Sequence, residues 1–143
     1  MNLVLDASAA LAWIFERVDS KEAALAERLL DAIATEVVTV PGLWHLEIAN
    51  VLLVAERRGV ATEAQTIDYL QRLSRLPIMT DDAEPSRRQE MTMALARQFE
   101  LSAYDAAYLE LALRSGATLA TFDHRLADAM RQAGGKIFGH ADE

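Results

Sequence analysis

The chain has 143 residues, no cysteine and a formal net charge of −8 at pH 7. Its length and its hydrophobic content of 52% predict a single domain with its own core, and the lack of cysteine excludes disulfides and thiolate metal sites. The negative charge excludes nucleic-acid binding by bulk electrostatics, but it allows binding through cations and a local arginine patch. Because there is no membrane-length apolar run and no basic leader, we expect a cytoplasmic protein without a membrane segment.

Predicted strands alternate with predicted helices along the chain, which is typical of a parallel sheet covered by helices on both faces. Asp19, with Glu22 three residues later, predicts the start of the second helix. We therefore expect one α/β domain over residues 1–143, a three-layer α/β/α fold with a central, mostly parallel sheet of about four to five strands. In chain order, the predicted elements are a strand at 2–6, helices at 7–15 and 20–33, a strand at 37–40, helices at 42–58 and 62–76, a strand at 78–80, helices at 85–99 and 101–113, a strand at 117–121, a helix at 123–133 and a last strand at 136–138.

The clearest helix signal, at residues 101–113, carries a carboxylate on its apolar side. Ser102 predicts the N-cap, and Asp105 shares a stripe with Tyr108 and other apolar residues, whereas Glu110 lies on a different face. A lone charge directed at the interior is costly unless it is paired or bound to a metal. The alternative is that Asp105 only caps the helix and interacts favourably with its dipole.

A second carboxylate interrupts the helix predicted at residues 42–58. This segment is apolar nearly all round, which predicts that the helix is buried. Glu47 lies among its apolar positions. The alternative for Glu47 is a core carboxylate paired with an arginine.

Two further carboxylates, Asp6 and Asp123, follow predicted strands. Ligands bind at the carboxyl ends of the strands in such sheets, so Asp6 and Asp123 are expected to meet Glu47 and Asp105 there. Singly, Asp6 and Asp123 also fit turn or cap positions. No lysine or arginine lies on the inward faces of the helices concerned, so the four charges would repel one another. A hard divalent cation would relieve that repulsion, and oxygen ligands suit Mg²⁺ or Mn²⁺.

The segments around the four carboxylates read LVLDASAALAWI, HLEIANVL, LSAYDAAYLELA and TFDHRL. In sequence and order they resemble the PIN-domain ribonucleases and, within them, the VapC-type toxins of bacterial toxin–antitoxin pairs. The resemblance covers nearly the whole chain. It implies that Ser8 and Thr121 assist through hydroxyl hydrogen bonds, although hydroxyls at these positions also fit simple bonding to the backbone. The implied metal site consists of Asp6, Glu47, Asp105 and Asp123.

The expected function is that of a toxin that hydrolyses RNA with Mg²⁺ or Mn²⁺. One or two ions would activate a water, leaving a 5′-phosphate and a 3′-hydroxyl. A phosphatase of the haloacid dehalogenase type is excluded, because it needs a second aspartate two residues after Asp6. The alternatives left open are a non-catalytic domain that binds a metal or a partner and a receiver-like domain. Asp81 would stand near the phosphoacceptor place of a receiver, but Glu47 and Asp105 would then have no role.

The expected partners are an RNA substrate, a VapB-type antitoxin and a second copy of the chain. Arg87 and Arg88 form a basic pair that predicts an RNA contact, the alternative being solvated surface charges. Surplus apolar surface predicts a two-fold homodimer. The resemblance implies an antitoxin groove between the early helices, in which Trp13 and Trp44 would be the anchors. The expected groove residues are Ala10, Trp13, Ile14, Leu43, Trp44 and Val51.

Overall fold

Four short parallel strands form one sheet at the centre of the protein. The computed structural model describes residues 1–15 and 20–139. The strands are β1 (Asn2–Leu5), β2 (Val37–Val40), β3 (Ile78–Thr80) and β4 (Thr118–Ala120). Their order is β3-β2-β1-β4, and every neighbouring pair is parallel. The predicted α/β class with a central parallel sheet is confirmed.

Helices flank this sheet and connect its strands. They are α1 (Ala7–Leu11), α2 (Ser20–Ile33), α3 (Leu43–Arg57), α4 (Glu63–Ser74), α5 (Pro85–Phe99), α6 (Ala103–Ser115) and α7 (His124–Gln132). Local sequence explains several of the helix ends. Thr62 and Gln65 form a reciprocal capping box at the start of α4, and Gly116 closes α6 in the left-handed conformation, with φ of 64°. The predicted cap at Asp19 lies outside the described residues.

The first predicted helix and the last predicted strand are shorter than expected. The helix predicted at residues 7–15 ends at Leu11, and the N–H groups of Ala12, Trp13 and Ile14 then bond to carbonyls three residues back. The indole of Trp13 donates to the carbonyl of Ala26 at 3.0 Å, so this turn is fastened to α2. The strand predicted at 136–138 is a single parallel bridge, between Leu119 and Ile137.

The prediction that α3 is buried all round is wrong. One side of α3 enters the core through Trp44, Ile48 and Leu52. On the other side Leu46 is 76% exposed and Leu53 is 45% exposed. The apolar composition of α3 therefore reflects two surfaces, one in the core and one at the outside of the monomer.

The candidate carboxylates lie on or next to α6 and the elements that surround it. This helix packs against β1, β4, α5 and α7, and it buries Tyr108 and Leu109. β1 is buried from Leu3 to Leu5 and leads directly to Asp6. Within the described ranges, no helix combines the length and the apolar character needed to cross a membrane.

Candidate active site

Asp6 is the most buried of the four predicted site carboxylates, with 5% of its surface exposed. It follows β1 and caps α1, where its Oδ1 accepts from the backbone N–H of Ala9 at 3.0 Å. The Ser8 hydroxyl donates to the same oxygen at 2.6 Å, and the Thr121 hydroxyl donates to Oδ2. Burial raises the pKa of Asp6 to about 6, against the lowering effect of these hydrogen bonds and with a further rise from the charge of Asp123.

Ser8 and Thr121 also fasten Asp6 to the turn that follows β4. The Ser8 hydroxyl accepts from the N–H of Phe122 at 3.0 Å, and the Thr121 hydroxyl accepts from the N–H of Asp123 at 2.9 Å. Each hydroxyl therefore contacts both the Asp6 carboxylate and a backbone N–H. The sequence offered these two kinds of contact as alternatives. The result is a rigid connection between the ends of β1 and β4.

Asp123 is the N-cap of α7. Its Oδ1 accepts from the N–H groups of Arg125 and Leu126, at 2.9 and 3.2 Å. The interpretation of Asp123 as a helix cap is therefore correct, but capping is not its only contact with the site. The same carboxylate also raises the pKa of both Asp6 and Asp105, so its charge reaches the site as well.

Glu47 and Asp105 are half-buried on α3 and α6. Burial raises the pKa of each carboxyl, and the charge of Asp105 adds to the rise at Glu47. The positive charge of Arg125 offsets part of the rise at Asp105. Because Arg125 is exposed, it does not contradict the expectation that no lysine or arginine lies on the inward faces of the helices concerned. Arg125 lies in the first turn of α7, and its guanidinium donates a hydrogen bond to the carbonyl of Glu100.

Tyr108 belongs to this site and was missed by the sequence analysis. Its phenol is buried, and its hydroxyl donates to Oε1 of Glu47. The sequence signal was the three-residue spacing from Asp105, which puts both side chains on one face of α6. From the sequence alone, that spacing indicates only an apolar stripe.

The four carboxylates lie in one connected electrostatic field. The charges couple in the series Glu47, Asp105, Asp123 and Asp6. In residues 1–15 and 20–139, no three histidine, aspartate or glutamate side chains are already grouped closely enough to hold an ion. The donor set nevertheless fits a hard divalent cation, since it consists of carboxylate oxygens whose pKa values are raised at Asp6, Glu47 and Asp105.

The position of the cluster in the sheet is also that of a ligand site. The connection that follows β1 leads to β2 on one side, whereas the chain that follows β4, on the other side of β1, leads to Ile137, which pairs with Leu119. Ligands of open α/β sheets bind at such a switch point, outside the carboxyl ends of the strands. Asp6 and Asp123 follow the two strands that flank it.

Comparison with known proteins identifies the family. The PIN domain family model matches residues 3–131. Ribonuclease VapC3 from Pyrobaculum aerophilum is 33% identical over 128 residues, which cover 90% of this chain and 94% of that protein. The chain belongs to the PIN-domain family. The predicted resemblance to VapC-type members is confirmed.

Solved structures show the same PIN fold. The crystal structure of FitAcB from Neisseria gonorrhoeae matches with a TM-score of 0.60 at 18% identity, covering 96% of each chain. The crystal structure of VapBC2 from Rickettsia felis bound to a DNA fragment from their promoter matches with a TM-score of 0.59 at 16% identity, covering 86% of this chain and 88% of that chain. At these identities the likeness concerns the fold alone.

A second charged cluster in this PIN domain lies away from the four carboxylates. Glu110, only 4% exposed, accepts two bonds from Arg114 at 2.9 and 3.0 Å and pairs with Arg88 at 3.6 Å. Arg114 also pairs with Asp81 at 2.7 Å, and this arginine holds the pKa of Asp81 below its ordinary value despite burial. Arg87 is exposed on α5. RNA contact stays a prediction for Arg87 and Arg88, and Arg88 shares its charge with Glu110.

This second cluster argues against the receiver-like alternative. Asp81 follows β3, which is the edge strand and pairs with β2. A receiver-type sheet has the order 2-1-3-4-5, in which the third strand lies directly beside the first. Here β2 separates β3 from β1, and Asp81 is engaged with Arg114 rather than with Asp6.

The predicted antitoxin groove needs correction in its residues. Ala10 and Trp44 are buried in the core, with Trp44 only 3% exposed, so neither presents a surface to a partner. Val51 is exposed on α3, and Leu43 lines a different cavity, of about 840 Å³, between α5, α6 and the start of α3. Trp13 and Ile14 do line a pocket, of about 300 Å³, against α4.

Proposed function

We propose that this PIN-domain protein is a Mg²⁺- or Mn²⁺-dependent endoribonuclease and the toxin of a toxin–antitoxin pair. The observation that carries the proposal is the carboxylate of Asp6, buried at the switch point, held by Ser8 and Thr121, and placed in the field of Asp123. A merely structural aspartate would gain nothing from a neighbouring like charge. The name of the relative Ribonuclease VapC3 supports the same reaction class.

The residues of the site divide into donors and positioning groups. Asp6, Glu47, Asp105 and Asp123 would supply the oxygens that hold the cation. Ser8 and Thr121 fix the two oxygens of Asp6 by donating one hydrogen bond to each. When bound, Mg²⁺ or Mn²⁺ supplies a Lewis acid that acidifies a water and neutralises the charge of the scissile phosphate. Because water attacks rather than the ribose 2′-hydroxyl, the products carry a 3′-hydroxyl and a 5′-phosphate.

The proposal predicts that purified protein, free of any partner, cleaves single-stranded or loop RNA only with Mg²⁺ or Mn²⁺. Asp123→Asn should lower the rate by more than about a hundredfold, because loss of a ligand costs more than loss of a group that only orients one. Asparagine can still cap α7, so the helix should persist. Cleavage is measured on a labelled RNA, with circular dichroism as the check on folding.

Asp128→Asn is the matched control for this experiment. Asp128 is an exposed aspartate on the same helix, paired only with Arg131 among the contacts that the structure describes. We expect it to cleave at the wild-type rate. Equal activity of wild type and Asp123→Asn, or undiminished wild-type cleavage in EDTA, would contradict the proposal. Metal binding without any cleavage would instead favour the non-catalytic alternative.

An antitoxin segment is the proposed occupant of the pocket beside α4. The apolar part of the pocket is formed by Trp13, Ile14, Phe15 and Val60, and its rim is polar at Gln65 and Arg72. A peptide with apolar side chains would bury them there, and a basic side chain further along it could reach the acidic site. The protein named VapBC2, which shares this fold, supports a partner of this class.

A second copy of the chain is the proposed partner of a different surface. Leu46 on α3, Met93 on α5 and Tyr104 on α6 are large side chains, each at least 49% exposed. Met93 and Tyr104 also line the cavity of about 840 Å³. Large exposed apolar side chains that lie together are typical of an interface, and a two-fold dimer is the commonest way of covering them.

A further inference from the structure

The hydroxyl of Tyr108 lies where three elements that carry site carboxylates come together. Tyr108 itself is on α6, one helical turn after Asp105. Its hydroxyl donates to Oε1 of Glu47 on α3. The end of β1 is close as well, because the phenolic oxygen lies near the backbone N–H of Ala7, the residue that follows Asp6.

These contacts fix the direction of the single phenolic proton. An ionised carboxylate can only accept hydrogen bonds, so the phenolic proton is directed to Glu47. Glu47 is on the surface-facing part of α3 and only half-buried, and a glutamate there would otherwise sample several rotamers.

We propose that Tyr108 is a positioning residue that orients the Glu47 carboxylate toward Asp105 and thereby sets the affinity of the site for a divalent cation. The inference rests on the proposed function. Tyr108 contacts neither substrate nor ion; it acts through Glu47. The hydrogen bond to Oε1 leaves Oε2 of Glu47 for the cation, as is usual where an outer group orients a metal ligand.

A second tyrosine allows this role to be separated from ordinary core packing. Tyr69 on α4 is also buried, and its hydroxyl donates to the backbone carbonyl of Ala10 at 2.7 Å. Phenylalanine at either position removes one buried hydroxyl and its hydrogen bond while keeping the ring. Both variants are therefore expected to fold with a similar small loss of stability, but only Tyr108 is bonded to a site carboxylate.

The test compares Tyr108→Phe with Tyr69→Phe in the purified full chain. Mn²⁺ binding is measured by titration calorimetry, and RNA cleavage is measured as a function of Mn²⁺ concentration. We expect Tyr108→Phe to weaken Mn²⁺ binding about 10- to 100-fold, the usual effect of losing a group that orients a metal ligand. The Mn²⁺ concentration for half-maximal cleavage should rise by the same factor, and saturating Mn²⁺ should restore most of the rate. Tyr69→Phe should bind Mn²⁺ as the wild type does.

A double-mutant cycle shows whether Tyr108 acts through Glu47. In a Glu47→Ala background, adding Tyr108→Phe should cause no further loss of Mn²⁺ affinity. An unchanged Mn²⁺ affinity in Tyr108→Phe, or a rate that is lower at every Mn²⁺ concentration with unchanged affinity, would overturn the inference while leaving the proposed function in place. A wild-type protein that neither binds Mn²⁺ nor cleaves RNA would overturn both.

Discussion

Asp6→Asn is expected to abolish metal-dependent RNA cleavage and, at pH 7.5 in EDTA, to make the protein more stable than the wild type. The first effect should exceed about a hundredfold, since Asp6 would be a direct ligand of the cation. The second follows from burial. A carboxylate that must be charged inside the protein, next to Asp123, opposes folding, whereas an amide carries no charge.

The pH dependence of this stabilisation follows from the raised pKa of Asp6. The folded protein binds the Asp6 proton more tightly than the unfolded chain, so wild-type stability falls as pH rises from 3.8, the ordinary pKa of an aspartate, to about 6. At about 1.4 kcal/mol per pH unit, the interval corresponds to about 3 kcal/mol. Asparagine avoids this loss but gives up a hydrogen bond to Ser8 or Thr121 worth about 1 kcal/mol. The net gain at pH 7.5 is therefore about 2 kcal/mol.

Urea unfolding of wild type and Asp6→Asn in EDTA, at pH 4 and pH 7.5, measures this effect. The variant should have the higher free energy of unfolding at pH 7.5, and its advantage should be lost at pH 4, where Asp6 is protonated in the folded wild type. Asp128→Asn should show no such change with pH. If the wild type is the more stable protein at pH 7.5, the Asp6 carboxylate is a favourable structural group and the electrostatic argument for a cation at the site fails.

Trp44→Ala is expected to destabilise the protein by about 3–5 kcal/mol, the usual cost of truncating a large buried aromatic side chain. Trp44 is 3% exposed and packs edge-on against His45, with ring centroids 5.0 Å apart. Its indole N–H is buried without a hydrogen-bond partner in the described part of the chain. Trp44→Phe should therefore cost much less, since it keeps most of the packing and removes an unsatisfied donor.

Comparison with Trp13→Ala distinguishes a tryptophan of the core from a tryptophan of the proposed antitoxin pocket. Trp13 is half-buried beside the pocket against α4, and its N–H bonds to the Ala26 carbonyl. We expect the variant to remain folded and to lose its antitoxin on co-expression from the native operon, whereas Trp44→Phe keeps it. Urea midpoints and the composition of the purified complex provide both readouts. Retention of the antitoxin by Trp13→Ala, or a fully stable Trp44→Ala, would contradict the assignment of the two tryptophans.

Local sequence signals were sufficient for most of the secondary structure. The capping box at Thr62, the N-cap at Ser102 and the glycine at 116 depend on contacts within a few residues, and all three are present in the structure. Period and composition also distinguished strands from helices. The last predicted strand failed because a strand needs a neighbour along its length, and Ile137 pairs with β4 at one position only.

The acidic residues of the candidate site could be predicted from the sequence. The hydrogen bonds and ion pairs that link them to distant residues could not. Asp6, Glu47, Asp105 and Asp123 are conspicuous as carboxylates at apolar or strand-end positions. The bond between Tyr108 and Glu47 joins residues 61 positions apart, and no spacing rule predicts such a pair. Glu110 was correctly placed on a different face from Asp105, but its burial depends on α5 and Arg88, which only the packing of the helices reveals.

The prediction that α3 is buried on all sides failed for a related reason. Composition reports how much apolar surface a helix carries, and it does not report which partner covers it. Leu46 and Leu53 belong to a face that the monomer leaves open, while Trp44 and Ile48 belong to the core. The same ambiguity led the sequence analysis to place Trp44 in a binding groove.

Cleavage of RNA in ¹⁸O-labelled water tests the central claim, hydrolysis by a cation-activated water at the Asp6 site, most directly. The measurement is mass spectrometry of the product ends formed by the wild type with Mn²⁺ and with EDTA. We predict one ¹⁸O atom in each new 5′-phosphate with Mn²⁺, a 3′-hydroxyl on the other fragment, and no product with EDTA. Products with 5′-hydroxyl and 2′,3′-cyclic phosphate ends, without ¹⁸O and unaffected by EDTA, would contradict the account.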